Sequence, residues 1–204
     1  MNLAILNYGM ANLRSVQKCF ESVGHRAELI TTADEIATCD RLVLPGVGAV
    51  GDALGHIRNC GLEQPILEHI RKGKPFLGIC LGMQMLMETC LEGGTHRGMG
   101  VIPGDCIRFD VDDAFGLKVP HMGWNQLKIE CRAPIFENVA DGANVYFVHG
   151  YHVRLTDQSW IATTTDYGRP FVSSIWRDNV MATQFHPEKS QRVGQSILKA
   201  FAAL

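Results

Sequence analysis

The residues best suited to chemistry in this chain are Gly78-Ile79-Cys80-Leu81-Gly82, which fall between an apolar run and a helical pattern. They form the thiol counterpart of the G-x-S-x-G nucleophile elbow, a strand-to-helix turn sharp enough to lift one side chain above a sheet. Small residues two before and two after the cysteine let the backbone bend without clashes. A helix N-terminus just beyond it favours the thiolate. A buried cysteine between two packing glycines would carry the same pattern, so the pentapeptide needs partners before it specifies a nucleophile.

Two further pieces supply them. His186-Pro187-Glu188 follows the strand-like stretch Val180–Phe185. Residues i and i+2 of an extended segment project to one side, and Pro187 biases His186 toward that conformation. Glu188 can then orient the imidazole and stabilise its charged form, as the carboxylate of a triad does. Pro45-Gly46-Val47-Gly48 follows the short strand Leu42–Leu44, where glycines let backbone N–H groups approach a ligand. In an open parallel sheet, that strand end lies on the ligand side. Taken singly, the second piece is also a solvated strand end and the third a simple turn.

The elements that must position these pieces divide at the middle of the chain. Leu3–Asn7, Arg26–Ile30, Leu42–Leu44 and Phe76–Ile79 read as strands. Helical spacing covers Asn12–Val23, two stretches between Gly51 and Gly73 broken near Gly61 and Pro65, and a segment from about Gly82. Such alternation predicts a mostly parallel, flavodoxin-like sheet with helices on both faces. In the second half Ile102–Phe109, Gln126–Glu130, Val145–Val153, Trp160–Thr165, Phe171–Trp176 and Val180–Phe185 read as strands, partly antiparallel, before a closing helix from about Ser190. No linker or repeat interrupts residues 1–204, so the chain reads as a single α/β domain.

Composition narrows the class. With 46% apolar and 20% charged residues and a mean hydropathy near zero, the chain reads as soluble and globular. A formal charge of −2 gives no electrostatic reason to expect nucleic acid or anionic lipid. The longest apolar region, Pro75–Met87, is interrupted by Gln84 and is too short for a membrane span. The start of the chain lacks a basic leader pattern. Its seven cysteines, Cys19, Cys39, Cys60, Cys80, Cys90, Cys106 and Cys131, are odd in number and show neither knuckle nor C-x-x-C spacing. That usage fits a reducing cytoplasm.

Together, Gly78–Gln84 and Phe185-His186-Pro187-Glu188 resemble the class I glutamine amidotransferases. Pro45–Gly48, Pro120-His121-Met122-Gly123-Trp124-Asn125, Tyr146–His149 and His186–Ser190 are similar to the glutaminase subunits of imidazole glycerol phosphate synthases, over essentially the whole chain. The resemblance implies a triad of Cys80, His186 and Glu188, and hydrolysis of glutamine to glutamate and ammonia without a cofactor. It implies an oxyanion site from the Leu81 N–H and the Gly46-Val47-Gly48 loop. Gln84, Glu92 and the backbone of His149, Gly150 and Tyr151 would hold the amino-acid end of glutamine. The implied partner is a (β/α)8-barrel synthase subunit of histidine biosynthesis, forming a heterodimer. Asn12, Pro120, His121, Met122, Gly123 and Trp124 would face it. Two departures stand out: Gly150 occupies a position where the family usually has Ser, and Ala11 one where it usually has Gly.

Other readings remain beside this one. A paralogue could supply ammonia for amidation of a surface sugar. A cysteine peptidase on a flavodoxin-like sheet could use the same elbow, although His-Pro-Glu near the C-terminus and Gln84 four residues after Cys80 disfavour it. A non-catalytic module would have no need of Cys80, His186 and Glu188 together. His149 and His152 could join His186 and Glu188 around a metal, but i, i+3 spacing on one strand puts the two on opposite faces. No metal is therefore expected. Trp160 and Trp176 read as core.

Overall fold

A computed structural model describes residues 2–110 and 116–204. The first half contains β1 (Leu3–Leu6), α1 (Leu13–Ser22), β2 (Ala27–Ile30), α2 (Ala33–Thr38), β3 (Arg41–Gly46), α3 (Val50–Asn59), α4 (Glu63–Arg71), β4 (Phe76–Cys80) and α5 (Leu81–Gln84). The second half adds β5 (Met87–Cys90), β6 (His96–Arg97), β7 (Ile102–Arg108), β8 (His121–Gln126), β9 (Lys128–Ile129), β10 (Asn144–His149), β11 (Tyr151–Leu155), β12 (Ile161–Asp166), β13 (Pro170–Arg177), β14 (Val180–Thr183) and α6 (Gln191–Ala203).

Among the described residues the largest sheet has eight strands in the order β2-β1-β3-β4-β14-β13-β12-β9. From β2 to β14 the pairs are parallel; the remaining three strands join antiparallel. Alternation along β1 explains why the sheet is covered on both faces. Ala4 and Leu6 enter a core shared with Ile36, Leu54 and Ile66 of α2, α3 and α4. Leu3 and Ile5 enter a second core with Val16 and Phe20 of α1 and Ile197 and Phe201 of α6. Strands buried on both faces read as continuous apolar runs.

The mixed, mostly parallel sheet matches the expected fold class, with several differences in the elements. Helix α2 was not anticipated, although Thr32 and Glu35 close a capping box around it. Pro65 does not break a helix: it sits in the first turn of α4, where its missing N–H is harmless, and Gly61 at φ 68° makes the break alone. The helix after Cys80 lasts only from Leu81 to Gln84. The apolar run beyond it turns into β5, which joins β6, β7 and β11 in a separate sheet. The single strand expected over Val145–Val153 divides at Gly150: β10 pairs with β8, and β11 pairs with β7. His149 and His152 therefore belong to different sheets, and the one-strand argument about their faces does not apply. The strand placed at Gln126–Glu130 starts earlier, at His121, and is divided at Leu127. No helix is long and apolar enough to cross a membrane among the described residues.

Candidate active site

Cys80 ends β4 at the C-terminal edge of the parallel sheet, beside Gly46 at the end of β3. Its backbone lies at φ 54° and ψ −104°, a conformation that a non-glycine residue adopts only when its surroundings enforce it. Those surroundings are tight. A Cβ at Gly78 would lie 2.8 Å from the Gly82 carbonyl, and one at Gly82 would collide with the Leu44 carbonyl. Both glycines are thus required for β4 to turn into α5 directly over β3, as the elbow reading expected.

His186 follows β14, the other neighbour of β4. Its backbone is extended at φ −98° and ψ 97°, as Pro187 favours. Pro187 then opens a 3-10 turn over Pro187–Lys189, so Glu188 reaches the ring by a turn and not by the extended segment anticipated from the sequence. The His186 Nδ1–H donates to Glu188 Oε1 at 2.8 Å, and both side chains are almost wholly buried. Ser190 fixes the segment further: its hydroxyl donates to the His186 carbonyl at 2.7 Å and accepts the Tyr146 N–H at 3.0 Å.

His186 Nε2 is buried without a hydrogen bond of ordinary geometry and faces the Cys80 sulfur closely enough for the two charges to couple. Burial opposes charging of the ring. The sulfur and the Glu188 carboxylate together outweigh it and hold the imidazole up to about 10. The ring is thereby held as an imidazolium, a proton donor beside the nucleophile candidate.

A cavity of about 180 Å³ opens over Cys80 and admits one small molecule. Val47, Gly48, Leu81, Gln84, Glu92, His149, Gly150, Tyr151 and His186 line it, so most of the expected site residues converge there. Gly46 lies beneath them at the sheet edge. Gln84 is buried and not a solvated helix face: Nε2 donates to the Tyr151 carbonyl and to Gln184 Oε1, both at 3.1 Å. Glu92 lies beyond β5, outside any helix, and its carboxylate accepts the Val50 N–H at 2.8 Å. The N–H of Val47, which also lines the cavity, is already bonded within the protein, donating to the Met10 carbonyl at 3.2 Å.

The expected partner face lies on the ribbon of β8 and β10. Met122 and Trp124 project outward, 63% and 49% exposed, with Trp124 edge-on to Tyr146. Val148, the partner of Met122 in the ribbon, also lines the cavity, so this apolar face adjoins the cavity's rim. Pro120, Gly123 and Asn12 are exposed or half-buried. His121 is the correction. Period-two alternation turns it inward, where it is 3% exposed and stacked against Phe147 and Tyr167.

A hydrogen-bond chain fixes the neutral forms of two histidines there. His149 Nδ1–H donates to the Tyr151 carbonyl at 2.8 Å, which makes Nε2 the acceptor of His121 Nδ1–H at 3.2 Å. Burial pushes His121 down to about 4 and His149 down to about 3. Among the described residues, no group of three or more His, Cys, Asp or Glu could hold a metal ion.

Sequence reasoning missed Met10, which holds the Val47 amide, and Gln184, which donates to Cys80 Sγ at 3.6 Å. The available signal for Gln184 was one amide within the strand pattern Val180–Phe185. Met10 offered none, since its carbonyl is what acts.

Comparison with known proteins gives the family of the chain. A family model described as Glutamine amidotransferase class-I matches residues 4–203. The chain is 53% identical to imidazole glycerol phosphate synthase subunit HisH of Syntrophotalea carbinolica, over 98% of each chain. It is 52% identical to the subunit of the same name from Geobacter sulfurreducens, over 99% of this chain and 98% of that one. Among solved structures, PurLQS from Thermotoga maritima superposes with a TM-score of 0.76 at 18% identity, covering 98% of both chains. A structure described as a glutamine amidotransferase also reaches 0.76, at 16% identity and full coverage of both. At those identities the structural likeness speaks for the fold alone.

Proposed function

The chain belongs to the class I glutamine amidotransferase family, and from that premise we propose that it is the glutaminase subunit of an imidazole glycerol phosphate synthase in histidine biosynthesis. The observation that carries the chemistry is the buried line of Cys80, His186 and Glu188 at the floor of a cavity sized for one small molecule.

The Cys80 thiolate attacks the side-chain amide carbon of glutamine, forming a C–S bond. The tetrahedral oxyanion is met by the Leu81 N–H and, after the loop rearranges, by a backbone N–H from Gly46-Val47-Gly48. One such donor is typically worth a factor of about 10²–10³ in rate. His186 gives its proton to the departing nitrogen, the C–N bond breaks, and ammonia leaves. Water then attacks the glutamyl thioester, His186 accepts its proton, and the C–S bond breaks to release glutamate and restore the thiolate. Gln84, Glu92 and the backbone of His149, Gly150 and Tyr151 hold the amino-acid end; they line the same cavity. Gly150 supplies backbone contacts only.

The ammonia goes to a (β/α)8-barrel subunit docked on the outer face of the β8–β10 ribbon. Exposed Met122 and Trp124 beside the cavity rim support that placement, since aromatic anchors dominate such interfaces. The names of the most similar relatives support the histidine branch over amidation of a surface sugar. Seven free cysteines support a reducing, cytoplasmic setting. The test is co-purification with the candidate barrel subunit, followed by a glutaminase assay with and without its nucleotide substrate. Failure to bind, or no glutamate formed by the assembled pair, rules the reading out.

A further inference from the structure

Parallel pairing of β14 with β4 sets Thr183 opposite Ile79, which brings the next residues, Gln184 and Cys80, side by side at the sheet edge. Gln184 is fully buried, and its backbone N–H donates to the Ser173 carbonyl at 2.9 Å. A buried amide is costly unless both of its ends are bonded. Here Oε1 accepts from Gln84 Nε2 at 3.1 Å, while Nε2 donates to Cys80 Sγ at 3.6 Å. The other Gln84 N–H is used by the Tyr151 carbonyl. These bonds determine both amide orientations. Turning Gln184 over would set two N–H donors against each other and a carbonyl oxygen against the sulfur.

We propose that Gln184 is a positioning residue for the glutaminase reaction. Its amide N–H holds the sulfur in one rotamer and favours the thiolate, and its carbonyl locks Gln84 with Oε1 toward the substrate cavity. The inference rests on the reading of Cys80 as nucleophile. The titratable groups around the sulfur are His186 after β14, Tyr8 after β1, Cys106 on β7 and Glu92 across the cavity. Gln184 differs from all of them in being a neutral donor that keeps its proton at every pH. Hydrogen bonds to a charged form stabilise that form.

The test follows Cys80 ionisation in the full chain, through iodoacetamide alkylation of the Cys80 peptide quantified by mass spectrometry from about pH 5 to 10. Gln184→Met removes the donor at similar volume. Gln184→Glu keeps the acceptor for Gln84 but puts a negative charge beside the sulfur. The alkylation midpoint should rise by roughly one pH unit in Gln184→Met and further in Gln184→Glu, with melting curves showing folded protein. Coincident profiles in a folded variant would overturn the proposal.

A second readout needs no substitution at Gln184. In ¹⁵N spectra of the wild-type chain, its side-chain amide should titrate with the same midpoint as Cys80 alkylation, and that step should vanish in Cys80→Ala. A flat amide signal, or an unchanged step in Cys80→Ala, would also overturn it. Neither readout requires glutamine turnover, so a chain that shows both signatures but forms no glutamate when assembled with its barrel partner would refute the proposed function and leave the hold of Gln184 on Cys80 standing.

Discussion

The backbone amide of Val47 donates to the carbonyl of Met10 at 3.2 Å, which ties the loop after β3 to the loop after β1 and occupies that N–H beside the cavity over Cys80. For Val47 to serve the oxyanion, this bond must break and the peptide must rotate. Gly48, already at φ 95°, permits the change. The lone chain is therefore expected to be a poor glutaminase. If the rotated state is about 1% populated, a partner and its ligand must favour it by roughly 3 kcal/mol to make it dominant. Glutamine hydrolysis should rise by roughly 50- to 100-fold from chain alone, through chain with barrel, to chain with barrel and nucleotide ligand. Full rate in the lone chain would contradict the switch.

His186 is held up to about 10 by Cys80 and Glu188 acting against burial. The ring must carry its proton to release ammonia, so kcat/KM, which reports the free chain, should fall as pH rises through about 10. Glu188→Gln removes the charge that supports the imidazolium. It should lower turnover by about 10–10²-fold and move the basic limb to lower pH. A rate–pH profile of this variant that overlays the wild type would show that Glu188 is structural.

His121 and His149 are kept neutral mainly by burial, at about 4 and about 3. Unfolded imidazoles titrate near 6.5, so between about pH 6.5 and 4 the unfolded chain takes up protons that the native chain does not. Stability is complete above that window and lost on acidification, by about 1.4 kcal/mol per pH unit for each group. Thermal melts should show this slope, and His121→Phe should remove one group's share of it. An unaltered slope would mean that His121 titrates normally in the fold.

Trp124 is half exposed and packs edge-on to Tyr146, so its loss should cost the folded chain little. At a docking centre, an aromatic anchor is worth about 2 kcal/mol or more, roughly a 30-fold change in Kd. Trp124→Ala should weaken binding to the barrel by that factor and leave Tm nearly unchanged. Titration calorimetry showing wild-type affinity would remove the β8–β10 face from the interface.

What could be read in the sequence follows from range. Cys80 with its two glycines, and His186 with Pro187 and Glu188, are local arrangements whose backbone needs are written within five residues. Strands buried on both faces announced the parallel sheet. Gly150 went unread as a boundary because apolar residues on either side continue the same alternation, while the two strands pair in different sheets. The inward turn of His121 needed the register of β8. The Gln184–Cys80 contact needed β14 to lie beside β4, though about a hundred residues separate them. The Met10 carbonyl is a backbone group, and no residue type encodes where it points.

The claim on which the rest depends is that Cys80 alone forms the bond to glutamine. The most direct measurement is reaction of the chain, assembled with its barrel partner, with a glutamine-mimicking diazo-ketone, read by intact mass and peptide mapping. One label per chain should appear, on Cys80, with none in Cys80→Ala and loss of glutaminase activity in step with labelling. Label on Cys90 or Cys106, or glutamine turnover that persists in Cys80→Ala, would contradict it.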